Sequence, residues 1–404
     1  MSGAAGGRRV SLTVDGGTLD RWTSASVTRD LKDISGGFEL VYLDSGRAAQ
    51  AVSPDLDTGV PFEIVRAGMS CAVALDGERV LTGWIDEVDV SWNADTLAAK
   101  VSGRDKTGDL ADCAASPNGP CEWANLDALA IANAIAQPFG IPVRAEVPVG
   151  APFPVFGINV EETALIAIEK AARQRALLVV SDGVGGLVLT QGGSTRAPAA
   201  LRRPGNVQGG GYRSSWRQRY SDYFVKGQTS KRQQRALTTC TITSAIDPLI
   251  NPVLPPAQQA SVAETVTVAM TGHAIDPEIT RWRPNVRGSR TQSGTASAQA
   301  QAEWALRVAK GMGENLDYTV LDWRAGAANA LWLPNQLVNV SDAWADVGRD
   351  MLIAGVTYRM SAQGITTSLR LAGRTAFARI DEPAKGPRYI FHRQPKSFGP
   401  TRTG

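Results

Sequence analysis

The sequence predicts a β-rich α+β multidomain protein, and three observations carry that prediction. Its 404 residues exceed one ordinary domain and suggest two to four. The 41 Gly and 22 Pro call for many turns, which suits β architecture better than helical bundles. Alternating apolar residues also recur on both sides of a middle stretch whose spacing is helical.

Val10, Leu12 and Val14 alternate into the turn Asp15-Gly16-Gly17, and Phe38 to Leu43 reads as another strand. Cys71, Val73 and Leu75 lead through Asp76-Gly77 into Val80 to Ile85, a hairpin pattern. Val88, Val90 and Trp92 share one face, and Leu97, Ala99 and Val101 return after a turn, so the first hundred residues read as an antiparallel barrel or sandwich. Leu126 to Gln137 has helical spacing and stops at Pro138-Phe139-Gly140. Val160 to Arg175 is a stronger helix, with Leu165, Ile168 and Ala172 on one stripe and Glu161 and Glu162 expected in its first turn. A short hairpin over 177–190 completes a small α+β domain. Residues 220–227 are again a strand, 246–256 a Pro-rich loop, and 295–311 an Ala-rich helix. Strand patterning then returns over 316–323, 336–340, 351–360 and 365–371.

The net charge of +3 conceals an asymmetry. Residues 1–120 hold 11 Lys/Arg against 18 Asp/Glu, a balance of −7, whereas 202–235 hold nine basic residues against Asp222 alone, a balance of +8. Solvated faces and complementary electrostatics between copies or neighbours are both open readings.

Little points to catalysis. The N-terminus has no apolar core of a signal peptide, and no stretch approaches a membrane span, so a soluble chain without membrane anchoring is expected. Cys71, Cys113, Cys121 and Cys240 form no CxxC pair, and His273 and His392 are the only histidines, so no metal or cofactor is expected. A Cys113–Cys121 disulfide stays open on spacing. No phosphate loop, HExxH or GxSxG occurs. Glu161-Glu162, and the group Asp86, Glu87 and Asp89, read as helix-end and strand-face charge rather than an acid–base pair. The ten Trp are scattered, which suits cores and protein contacts better than a nucleic-acid platform.

Four segments resemble the baseplate hub family of Mu-like contractile phages: 83–115 with its core SGRDKTGDLADC, 162–191, 330–377 with Trp332-Leu333-Pro334-Asn335, and YSDYFVKGQTS at 220–230. They stand in family order over residues 10–377. That family is similar to the T-even phage hub and to the N-terminal region of type VI secretion spike proteins. The resemblance implies two related antiparallel β-barrel domains plus the α+β domain, assembled as a homotrimeric, pseudo-hexameric ring in which duplication reconciles a six-fold tube with a three-fold spike. It divides the chain into a first, tube-attaching barrel (1–107), the α+β domain (108–205), a second barrel (206–236 with 316–375), an insertion (237–315, helix 295–311) and an extended tail (376–404).

The implied function is a structural, non-enzymatic hub lining part of the tail channel. Its implied partners are the tail tube protein, the central spike protein and other baseplate proteins, with passing DNA touched only non-specifically. The implied location is the virion baseplate, assembled in a bacterial cytoplasm. A cell-wall-degrading hub enzyme and a carbohydrate-binding tail module are the alternatives. Two sets of interface residues are singled out. Arg104, Asp105, Lys106, Asp109 and Asp112 form a charged corner expected to fix the barrel against the α+β domain or the next subunit. Tyr389, Phe391 and Phe398 lie in a basic tail with four Pro and three Gly, a composition suited to a strap that orders on a partner.

Overall fold

The computed structural model describes residues 9–44, 65–92, 97–227, 270–289 and 298–380. The first region contains β1 (Val10–Val14), β2 (Gly17–Leu19), β3 (Ser24–Asp30), β4 (Gly37–Asp44), β5 (Ser70–Leu75), β6 (Glu78–Trp92) and β7 (Leu97–Asp105). Alternation is the cause: Val10, Leu12 and Val14 are buried, and so are Cys71, Val73 and Leu75. The hairpins β1–β2 and β5–β6 turn on Asp15-Gly16 and Asp76-Gly77, with φ of 47° and 81°, and of 51° and 82°. Both central residues at positive φ give the tight turn whose twist matches the strands.

The second region holds α1 (Gly108–Asp112), β8 (Glu122–Leu126), α2 (Ala128–Ala136), β9 (Val143–Ala145), β10 (Phe153–Gly157), α3 (Ala164–Arg173), β11 (Leu178–Ser181) and β12 (Leu187–Thr190). β8 pairs with β10, and β12 lies between β11 and β9. Ile131 and Ile135 of α2 meet Ala167, Ile168 and Ala171 of α3 in a separate apolar core. Asp127 caps α2 by accepting from the Ala130 N–H at 2.7 Å. Thr163 caps α3, so Glu161 and Glu162 precede the helix instead of opening it. Glu162 instead accepts from Asn159 N–H at 2.8 Å and pairs with Lys170 at 3.1 Å. Cys113 and Cys121 are free thiols, which closes the disulfide option.

The remaining strands are β13 (Thr195–Arg196), β14 (Leu201–Arg203), β15 (Val207–Ser214), β16 (Asp222–Gly227), β17 (Met270–Ile275), β18 (Pro284–Gly288), β19 (Glu314–Leu321), β20 (Arg324–Ala325), β21 (Ala330–Leu331), β22 (Gln336–Asp342), β23 (Val347–Ser361) and β24 (Gly364–Gly373). Helix α4 (Ala298–Gly313) precedes β19. Within residues 206–227, the described part of that segment, two strands go to different sheets. β15 joins β19, whereas β16 pairs with β17 and β18 in a small sheet of its own, because Tyr223 and Val225 pack against Ala298, Ala302 and Ala305 of α4. A strand pattern shows that a segment is extended but not which edge receives it.

The two strand-rich regions are joined rather than standing apart. One sheet runs β15-β19-β24-β23-β3-β4-β7-β6-β5-β1-β2, with β22 on β23 and β13 and β14 on β22. The seam is the antiparallel pairing of β3 with the second half of β23, from Gly355 opposite Asp30 to Met360 opposite Ala25. One core underlies both regions, with Val27, Leu40 and Val101 in the same cluster as Tyr318, Val356, Tyr358 and Leu369.

Within that sheet lies an internal repeat. The order β3-β4-β7-β6-β5 matches β15-β19-β24-β23-β22, in the same chain order. β6 and β23 each have 15 residues and each carry a bulge at the matching place. Ile85 faces Gly103 before Glu87 faces Ser102, and Ile353 faces Leu371 before Gly355 faces Arg370. Phe38 faces Gly103 as Leu316 faces Leu371, and Val27 faces Phe38 as Tyr212 faces Leu316. The repeat ends at the outer strands, since β1 runs antiparallel to β5 but β14 runs parallel to β22.

Candidate assembly surfaces

The charged corner sits where β7 hands over to α1. Gly83 and Gly103 let β6 and β7 close up beside it: a Cβ on Gly83 would lie 1.8 Å from the Arg104 carbonyl oxygen, and one on Gly103 2.1 Å from that of Trp84. Arg104 bridges Asp86 and Asp112, each at 2.9 Å, and these two hydrogen bonds hold its guanidinium pKa above the ordinary arginine value. Asp109 accepts from Trp84 Nε1 at 2.9 Å. Lys106 donates its N–H to Thr82 O at 3.1 Å.

Asp105 is different in kind, with 1% of its surface exposed. It accepts from Ser181 Oγ of β11 at 2.5 Å and from Thr107 N–H at 2.9 Å. Burial pushes its carboxyl up from the ordinary value, with Ser181 and Thr107 opposing. Arg29 Nη2 donates to Ser181 O at 3.0 Å, and Thr107 Oγ1 to Ile34 O at 3.1 Å. Asp105 is thus hydrogen-bonded from the end of β7 to the end of β11. Ser181 and Arg29 were not foreseeable from the corner's own sequence, because they come from segments far along the chain.

A second surface is the face of the large sheet opposite its core. Thr28 and Thr357 share a hydrogen bond of 3.2 Å across the β3–β23 seam, and Arg370 pairs with Asp30 beside them. Lys100 pairs with Glu39 at 3.0 Å on the neighbouring strands. Polar side chains on this face occur in both repeats, and an open depression on it is lined by Gly211, Asp317, Thr357, Arg359 and Ser368.

A third surface is formed by two edges. Among the described residues no strand pairs with the outer side of β15, nor with the β5-facing side of β6 beyond Ile85. Trp92 is 77% exposed and Tyr212 46%.

His273 has an acidic partner, and the arrangement is not that of a nucleophile and base. His273 bonds Asp222 at 2.8 Å and stacks on Phe224 with ring centroids 4.3 Å apart. Ser221 Oγ donates to the far oxygen of the same carboxylate at 2.7 Å and accepts from Arg283 N–H at 2.8 Å, so it serves the wrong end of the chain to be activated by the imidazole. No cluster of three metal-binding side chains is present among the described residues. Tyr389, Phe391 and Phe398 lie outside the described residues.

Three family models match successive stretches. Residues 9–105 match the N-terminal domain of Mu phage baseplate assembly protein GpP-like proteins, 107–191 the second domain of baseplate hub protein gp44-like proteins, and 294–379 the fourth domain of Mu phage baseplate assembly protein GpP. The baseplate hub protein gp44 of Escherichia phage Mu is 30% identical over 376 residues, covering 91% of this chain and 88% of that protein. The chain belongs to the Mu baseplate hub family. Its function is that of a structural baseplate hub, and its place is the tail baseplate of a phage virion. The 43 kDa tail protein of prophage MuSo2 from Shewanella oneidensis matches this hub with a TM-score of 0.74 and 27% identity, over 92% of this chain and 100% of that one. A tail protein from Neisseria meningitidis MC58 shares the fold, with a TM-score of 0.69 and 21% identity over 93% and 100%. No described helix of the hub is long and apolar enough to cross a membrane.

Proposed function

We propose that this hub joins a six-fold tail tube to a three-fold central spike as a homotrimer, without enzymatic activity. The observation that carries the reading is the five-strand register repeat. Three copies with two repeats each present six similar units, which is the count a six-fold neighbour requires. The equivalent hydrogen-bond registers of the two repeats, within a sheet that runs through both, support that count. The polar face becomes the channel wall in such a ring, and its mixed Asp, Glu, Lys and Arg suit DNA passing without being held. The corner at Arg104 to Asp112 sets the α2–α3 unit against the ring, and the tail bearing Tyr389, Phe391 and Phe398 straps the spike or a neighbouring hub. Mass determination of the purified chain and copy counting in intact tails test the reading. Three copies support it; two or six copies per tail overturn it.

A further inference from the structure

We infer that the small β16–β18 sheet carries a docking face for an acidic, partly apolar segment of a different baseplate protein. The inference rests on the hub reading for the class of partner, and adds the surface and the chemistry that recognises it.

The small sheet is apolar on both faces. Tyr223 and Val225 are buried against α4. On the opposite face the register aligns Ile275, Asp222 and Pro284 in one row and His273, Phe224 and Val286 in the next. Ile275 is 61% exposed and Val286 58%, so no described residue covers them. Phe224 lies flat on His273, with 7° between the ring planes, which fixes the ring in the middle of the face. An antiparallel sheet with one face on a core ordinarily turns polar side chains to water on the other. A solvent face with apolar residues grouped on it marks a contact.

Two loops frame one end of this face. Residues 216–221 lead into β16, and 276–283 connect β17 to β18. Arg283 binds them together: Nη1 donates to Trp216 O at 3.0 Å and Nη2 to Arg217 O at 3.1 Å, while Ser221 N–H donates to Arg283 O at 3.0 Å. The pair of loops presents Trp282, 71% exposed, together with Trp216, Arg217 and Arg281. Loops already held in place lose little freedom when a partner arrives. Trp and Arg beside an apolar patch is also the composition that protein contacts favour.

Charge says what the partner carries. The acids of this unit are engaged internally. Asp276 and Glu278 hold Arg219, Glu278 also holds Lys310, and Asp222 is bonded to Ser221 and His273. Arg217 and Arg281 find no side-chain partner among the described residues. The unspent charge on this surface is therefore positive, and carboxylates complement it. The aliphatic side chains separate a polypeptide from a nucleic acid. Ile275, Pro284 and Val286 offer a base no ring to stack on, whereas they suit the apolar side chains of a peptide.

The test is made on assembled tails. A hub with Trp282 replaced by the photo-reactive p-benzoylphenylalanine should, on illumination, form a covalent product with a different tail protein, at a segment rich in Asp and Glu. Arg217→Glu with Arg281→Glu should cut that product at least about tenfold, while the purified variant keeps the circular dichroism and the solution mass of the parent. Arg217→Gln with Arg281→Gln, which removes charge without reversing it, should give an intermediate yield. Products only between two hubs, only within one chain, only with DNA, or with a basic segment overturn the inference, as does no product or a yield unchanged by the Arg substitutions. Three hub copies per tail without the expected product would leave the trimer standing and remove this docking face alone.

Discussion

The Ser181 hydroxyl donates a 2.5 Å hydrogen bond to Asp105, joining the end of β11 to the end of β7 across the boundary between the large sheet and the α2–α3 unit. Ser181→Ala leaves a buried carboxyl oxygen short of a partner and should cost about 1–3 kcal/mol in urea unfolding. Asp105→Asn, which keeps the shape and can still bond both neighbours, should cost less than Asp105→Ala.

The same carboxyl sets a pH dependence. Burial raises its folded pKa above the ordinary 3.8, so the folded chain keeps a proton over a range where the unfolded chain has lost it. Its stabilising contribution is complete below the ordinary value and is lost as pH rises through the raised one. In Asp105→Asn that loss should vanish, so the stability difference between wild type and variant should move in the variant's favour as pH rises. A difference independent of pH would contradict the raised value.

Cysteine reactivity should divide by burial. Desolvation pushes the Cys71 thiol up to about 12, and Cys71 is buried between β1 and β6. Cys113 is exposed. Under native conditions Cys113 should react with a thiol reagent at least about a hundredfold faster than Cys71, and denaturant should erase the gap. Prompt labelling of native Cys71 would show that the sheet opens there.

Arg219 makes two bonds to Asp276, at 3.1 and 2.7 Å, and a third to Glu278 at 2.7 Å, with Arg219 and Asp276 both buried. Removing one partner strands a buried charge, so Asp276→Ala should destabilise the β16–β18 sheet by about 3–5 kcal/mol. Glu278, partly exposed and also paired with Lys310, should matter less. Hydrogen exchange of the β16 amides measures both.

Deleting residues 385–404 should leave trimer formation intact and weaken capture of the central spike protein in a pull-down. Equal capture by the truncated chain would remove the strap. The purified chain should release no soluble fragments from peptidoglycan, and turnover abolished by a single Asp or Glu substitution would overturn the proposal that it is not an enzyme.

The strands of the first region and the helices near 128–136 and 164–173 were legible because alternation and helical spacing are local properties, as at Val10, Leu12 and Val14. The start of α3 differs from the sequence reading because Glu161 and Glu162 look like first-turn acids, while the cap is Thr163. What sequence could not reveal was pairing. β15 and β16 read as one domain yet belong to different sheets, a choice made by Ala298, Ala302 and Ala305 far downstream. The seam is hidden for the same reason: Thr28 carries no mark of Thr357.

The β3–β23 seam also bears on how the chain is made. Strand β3, at residues 24–30, has β4 on one side at once but must wait for its second partner, which leaves the ribosome more than three hundred residues later. Such a long-separated contact is slow to form, because the intervening chain must be closed before the pairing is rewarded. The α2–α3 unit has its own core and can complete early, holding the N-terminal strands through Asp105 and Ser181 while synthesis continues. A nascent hub halted before residue 347 therefore presents an extra open edge at β3, of the kind β15 offers in the finished chain. Premature assembly between unfinished copies is the hazard this order creates, and release of the last strands is the event that removes it.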